Sequence, residues 1–207
     1  MKTLFIMLGI PGAGMVSTVD TLKEFLSNDP ENNISVWTRK YDVPRRYFDC
    51  KAGSMLEMRH EIYKWAQTAG DKDYGIVNIP FLTAFDRFDF IDEIDKAAKI
   101  ADNELLIVAV YHERSYKYLY EVYLDKDETL SKERQIMLAR YVRRMQQPIR
   151  EEGFDLIYRI GGRDEMNLTQ LTKMMNKITS DPFWSIENDD PNETEKHDQE
   201  RDNNEEE

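Results

Sequence analysis

Apolar residues in this chain gather in two kinds of stretch that take turns along the first 180 positions. The first kind is short and continuous: residues 4–8 (LFIML), 34–37 (ISVW), 74–79 (YGIVNI), 105–111 (LLIVAVY) and 154–160 (FDLIYRI). Runs of this length, rich in β-branched and aromatic residues, predict strands, and the most apolar of them predict strands buried on both faces. The second kind repeats at steps of three or four and predicts helices. One opens after the glycines that follow the first strand and passes through Leu22 and Phe25. Another spans 55–69, with Ser54 as its cap and Leu56, Ile62 and Trp65 near helical spacing. A third, 84–101, takes Thr83 as its cap and Phe88, Ile91, Ile94, Ala98 and Ala101 as its buried face. Helices over 115–123, 131–146 and 168–178 complete the series, with Pro148 stopping the second of these. Polar clusters such as Asn28-Asp29-Pro30 and Gly161-Gly162 punctuate the pattern. Strands alternating with helices imply a mostly parallel sheet of about five strands with helices on both faces, a three-layer α/β fold.

Composition changes this picture at one end only. The 207 residues carry a net charge of −12, yet 11 acidic residues against 2 basic ones fall within 185–207. The rest of the chain holds 26 basic and 29 acidic residues, so no whole-surface field draws it to nucleic acid. Almost nothing after Ser185 is apolar. A folded body over 1–184 and a disordered acidic tail over 185–207 are therefore expected. No apolar run reaches membrane-spanning length, and no membrane partner is expected. The single cysteine, Cys50, excludes an internal disulfide and fits a reducing cytoplasm. His60, His112 and His197 lack metal-ligand spacing, and none is assigned a catalytic role.

The most informative stretch is Gly9-Ile10-Pro11-Gly12-Ala13-Gly14-Met15-Val16-Ser17-Thr18, set between a strand and a helix. Its glycines let the backbone close tightly enough for N–H groups to surround phosphate oxygens, and the helix N-terminus behind them adds positive potential. The phosphate-loop pattern G-x-x-x-x-G-K-[ST] asks for Lys directly after the last glycine. Met15 and Val16 stand there before Ser17-Thr18, so the stretch reads as a loop with the Lys lost and one residue gained. Gly9, Gly12, Ala13, Gly14, Ser17 and Thr18 are the candidate nucleotide-binding residues.

Two further stretches join this one in a resemblance to the polynucleotide-kinase-like group of P-loop kinases, a family common in bacteriophages. They are Gly75-Ile76-Val77-Asn78, with Thr83 and Arg87 downstream, and Pro148-Ile149-Arg150-Glu151-Glu152-Gly153-Phe154-Asp155. All three fall in the family's order and together cover about residues 3–162. The resemblance implies a P-loop kinase fold, ATP and Mg²⁺ as cofactors, and transfer of the γ-phosphate to a nucleic-acid 5′-hydroxyl or a related small acceptor. Carried over residue by residue, it makes Asp42 of Arg39-Lys40-Tyr41-Asp42 the candidate general base. Arg39, Arg45, Arg46 and Arg87 become candidate substrate-binding residues. Ser17 and Asn78, the latter where the family usually has Asp, become the candidate Mg²⁺ ligands. The family's lid run of arginines reads Tyr120-Glu121-Val122-Tyr123-Leu124-Asp125, with none; the nearest is Arg114.

Loss of a transition-state arginine alone costs ~10³–10⁵ in rate. Two readings follow. One is a weakened or inactive ATP-dependent kinase of nucleic-acid 5′ ends, in the cytoplasm (the host's, if phage-encoded). The other is a pseudokinase whose fold persists as a nucleotide-binding or protein-interaction module. Plainer readings stand beside each candidate. Asp42 is equally a solvated loop carboxylate, and Arg39, Lys40, Arg45 and Arg46 equally a charged surface. Tyr111, Tyr116, Tyr118, Tyr120 and Tyr123 are more simply packing residues than base-stacking ones. Arg140, Arg143 and Arg144 pair more simply with surface acids than over a phosphate.

Overall fold

The computed structural model describes residues 1–38, 52–70, 72–79, 81–124, 132–161 and 168–180. In chain order the elements are β1 (Lys2–Leu8), α1 (Met15–Leu26), β2 (Asn33–Thr38), α2 (Ala52–Gln67), β3 (Asp73–Asn78), α3 (Ala84–Ile100) and β4 (Leu105–His112). They continue with α4 (Tyr116–Leu124), α5 (Lys132–Arg144), a 3₁₀ turn (Arg150–Glu152), β5 (Leu156–Ile160) and α6 (Leu168–Ser180). Two compact units divide the chain, Met1–Leu168 and Thr169–Glu207. In the second, α6 carries Leu171, Met174, Met175 and Ile178 at helical spacing, an apolar stripe. The acidic tail of 185–207 lies outside the described residues.

The five strands form one sheet, all parallel, in the order β2-β3-β1-β4-β5. All seven residues of β1 are buried, as suits the middle strand. From β1 the chain crosses to β2, returns through β3, and then passes to β4 on the other side. Strand order thus reverses about β1, and ligands of open α/β sheets bind beyond the carboxyl ends of the strands at such a point.

Strand alternation splits the apolar residues between two faces. Leu4, Ile6, Leu8, Val77, Ala109 and Tyr111 join a core with Ile62 and Trp65 of α2 and Phe90, Ile91 and Ile94 of α3. Phe5, Met7, Ile76, Val108 and Val110 point to the opposite face, along which α1 lies. At the amino ends of the strands, the buried Lys2 ammonium donates to Asp73 Oδ2 (2.6 Å), Thr68 Oγ1 (3.2 Å) and the Trp65 carbonyl (3.0 Å). Gly75 belongs to the same packing, because a β-carbon there would stand 2.8 Å from Leu4 Cδ1 and 3.0 Å from both Trp37 and Trp65.

The helices form where the periodicity predicts them, but two faces are turned. On α3 the buried residues are Arg87, Phe90, Ile91, Ile94, Ala97 and Ala98, whereas Phe88 is 52% exposed. A charged residue occupies the inner stripe because Arg87 has a buried partner, and the phase shifts accordingly. On α2, Leu56 is exposed while Ile62 and Trp65 are buried. Thr83 caps α3 as expected, its hydroxyl accepting the Asp86 N–H at 3.2 Å. β5 begins at Leu156 rather than at Phe154, because the Asp155 carboxylate takes the Ile107 N–H (2.6 Å) that a strand carbonyl would otherwise accept.

Candidate functional site

Beyond Leu8 the chain turns through Gly9–Gly14 and enters α1. Gly12 (φ 86°) and Gly14 (φ 95°) hold left-handed conformations that glycine adopts without strain. The Ala13 N–H closes a tight turn on the Ile10 carbonyl at 2.9 Å, and Thr18 N–H to Gly14 carbonyl (3.1 Å) is the first bond of the helix. The N–H groups of Gly12, Gly14, Met15, Val16 and Ser17 find no acceptor among the described residues. Ile10 and Ala13 are buried against Leu82, Leu119, Leu138 and Tyr141, so apolar packing onto α4 and α5 holds the loop in place.

α1 starts at Met15, directly after Gly14. No residue has been gained between the last glycine and the helix, contrary to the expectation from sequence. Met15 and Val16 therefore occupy the positions that the phosphate-loop pattern gives to Lys and the first hydroxyl. Met15 is buried, and its sulfur lies 3.4 Å from where a β-carbon on Gly9 would be. Val16 is exposed. Ser17 is exposed one position further on, while Thr18 is 1% exposed. A step of ~100° per residue separates their directions, and of the two only Thr18 is buried.

Two side chains from the end of β4 grip the loop. His112 Nδ1 donates to the Ala13 carbonyl at 3.1 Å, and Arg114 Nε donates to the same oxygen at 3.2 Å. Arg114 Nη1 reaches the Gly161 carbonyl at the end of β5 (3.0 Å), and its guanidinium lies 5.2 Å over the Tyr118 ring. Burial, then the adjacent Arg114 charge, pulls the His112 imidazole down to about 4, against the opposing pull of its bond to Ala13. The ring is therefore neutral at pH 7. The bond to Ala13 assigns the proton to Nδ1, and Nε2 is left buried without a partner among the described residues. From sequence His112 had no assigned role and Arg114 was only the arginine nearest the lid run, although both stand at the carboxyl end of the most apolar strand, where ligand contacts of parallel sheets collect.

Across β1, Asn78 ends β3 fully buried, with neither side-chain amide atom hydrogen-bonded among the described residues. Val77 pairs with Ile6 and Tyr111 with Leu8, so Asn78 and His112 flank the end of β1 on the same face, the one covered by α1. Mg²⁺ takes hydroxyl, carboxylate and water oxygens in tight octahedral geometry. The hydroxyl position holds Val16, Ser17 is one residue beyond it, and Asn78 offers one neutral oxygen. Among the described residues no three His, Cys, Asp or Glu side chains stand together. The described residues do not fit Mg²⁺.

Arg87 is corrected from substrate ligand to structural residue. Its side chain is fully buried, and its N–H groups are committed to Glu152 and to the carbonyls of Phe81, Gln146 and Gln147. Asp42, Arg39, Arg45 and Arg46 lie outside the described residues, as does Cys50. Tyr111 is buried and Tyr116 rests against Tyr120 at 6.1 Å, while Arg140, Arg143 and Arg144 are exposed on α5.

No family model matches the sequence, and no curated protein matches it. Solved structures do resemble the fold. A fungal RNA kinase superposes with a TM-score of 0.57 at 12% identity, covering 92% of each chain. Kti12 of Chaetomium thermophilum, in complex with ADP-AlF3, gives 0.57 at 17%, covering 86% of this chain and 97% of that one. A structure designated APE1195 gives 0.53 at 12%, with 86% and 95% covered. At such identities the likeness is one of fold, and the fold is that of a P-loop kinase: an α/β protein with a five-stranded parallel sheet.

Proposed function

We propose that this chain is a polynucleotide-kinase-like P-loop protein that binds a nucleotide by its phosphates at the loop 9–14, with phosphoryl transfer to nucleic-acid 5′-hydroxyl ends weakened or lost. The observation that carries this reading is the set of backbone N–H groups of Gly12, Gly14, Met15, Val16 and Ser17, which have no acceptor among the described residues. They stand at the N-terminus of a helix entered through a left-handed glycine, and this arrangement favours an anion. Its place beside the strand-order reversal supports the same ligand class, as does the likeness to an RNA kinase and to a protein solved with ADP-AlF3.

Three positions support the weakening. Met15 and Val16 remove the ammonium and hydroxyl, and Asn78 brings an amide where the resembled family usually has a carboxylate. Phosphoryl transfer rests on positioning and charge neutralisation, so each change subtracts from the same quantity. The second reading, a pseudokinase used as a nucleotide-binding or protein-interaction module, is favoured by the burial of Met15 under the loop, which fills the lysine's place with apolar packing. A phage origin and a cytoplasmic setting belong to the same proposal, supported by the family resemblance and the single cysteine.

Calorimetric titration of the full chain with ADP and ATP, with and without Mg²⁺, tests the proposal. Submillimolar binding is expected, and Met15→Lys is expected to tighten it by about tenfold, the worth of one charge-assisted contact. No heat from either protein at several millimolar nucleotide would overturn nucleotide binding. Phosphorylation of a 5′-hydroxyl oligonucleotide by the binding-competent protein separates the kinase from the pseudokinase.

A further inference from the structure

We infer that Arg114 is the fixed cation of the phosphate loop. With His112 it pins the Ala13 carbonyl, and through that peptide it directs the Gly14 N–H toward an anionic ligand while supplying charge that the loop itself lacks. This assignment rests on the nucleotide reading above and deepens it, naming the residue on which phosphate affinity depends.

A trans peptide holds its C=O and the following N–H antiparallel. With the Ala13 oxygen held toward β4 by donors at 3.1 and 3.2 Å, the Gly14 N–H points away from β4, to a side where it has no acceptor among the described residues. Two donors on one carbonyl, one of them charged, also polarise the peptide and strengthen its N–H as a donor. The guanidinium does not wander: Gly161 and Tyr118 hold it, and it is 9% exposed. It also lies against the glycine that opens the helix. A β-carbon on Gly14 would lie 3.9 Å from both Arg114 Nη2 and His112 Nδ1. His112 is neutral, so it contributes direction without charge, and Arg114 contributes both. The ligand class that gains most is a nucleoside di- or triphosphate, whose affinity should rise with the number of phosphates.

Calorimetry on the full chain with ADP and with adenosine, at two salt concentrations, tests the assignment. Arg114→Gln keeps a donor and loses the charge. It should weaken ADP by about 10- to 100-fold, flatten the salt dependence and leave any adenosine binding unchanged. Arg114→Lys, which keeps the charge but not the fork, should fall between. Arg114→Gln that melts like the parent and binds ADP equally well would overturn the inference and leave the nucleotide reading intact; a parent that binds no ADP would overturn both. If Arg114→Gln does not fold, the parent itself decides by ¹⁵N spectra during titration with pyrophosphate. The Gly14 amide and the Arg114 Nε–H should shift together, and a Gly14 shift with Arg114 unmoved would overturn the assignment.

Discussion

Replacing Arg87 separates a ligand-binding arginine from a structural one. A guanidinium has five N–H donors, and Arg87 uses them all. Nε and Nη2 bind the two oxygens of Glu152, Nη2 at 2.7 Å; Nη1 reaches the Gln146 and Phe81 carbonyls at 2.9 and 3.3 Å; Nη2 also reaches Gln147 at 3.2 Å. Glu152 Oε1 further accepts the Ile149 N–H at 3.2 Å, so one buried pair ties the start of α3 to the segment between α5 and β5. Arg87→Met strands a buried carboxylate, which costs about 3–5 kcal/mol. Arg87→Lys keeps the charge but offers three donors from one point, losing at least two hydrogen bonds at about 1 kcal/mol each. Arg87→Met combined with Glu152→Leu removes both charges and should recover much of the loss, since apolar replacement of a buried pair is often near neutral. Guanidinium unfolding followed by far-UV circular dichroism measures all four proteins. For a domain of this size, 3–5 kcal/mol corresponds to a fall in Tm of roughly 6–20 °C. The reasoning is refuted if Arg87→Met unfolds at the parent's midpoint yet loses ADP or oligonucleotide binding.

Two further outcomes follow from the same geometry. His112 is held near 4 in the fold against 6.5 for the free group, so the native state prefers it neutral. Stability from this site is whole above about pH 6.5 and is lost as pH falls toward 4, by about 3 kcal/mol in all. His112→Asn keeps a donor and removes the titration. Urea midpoints between pH 7.5 and 4 should fall less steeply than the parent's, and parallel curves would dismiss the idea. Gly153 has φ 99°, and a β-carbon there would stand 2.8 Å from Ile91 Cγ2. Gly153→Ala should therefore lower stability by about 1–3 kcal/mol, and an unchanged Tm would contradict the close approach.

The elements and their alternation were legible in the chain alone, and with them a mostly parallel sheet covered by helices. Those features are local: a run of apolar residues or a step of three or four is set by neighbours within a few positions. A glycine-rich turn from the first strand into the first helix was legible as well, because the glycines and the following helix are contiguous. Strand order, the turned face of α3 and the roles of single charged residues came only with tertiary structure. Whether Met15 and Val16 lengthen the loop or begin the helix was decided by where α1 starts against the packed Ile10 and Ala13. Arg87 looked like a ligand until the fold set it against Glu152, 65 residues away. His112 and Arg114 had no role to show until β4 lay beside β1 and brought them to a carbonyl 99 and 101 residues distant. A hydrogen bond acts over about 3 Å. Which donor meets which acceptor across a hundred residues is therefore decided by the pairing of strands, a property that no local window of sequence contains.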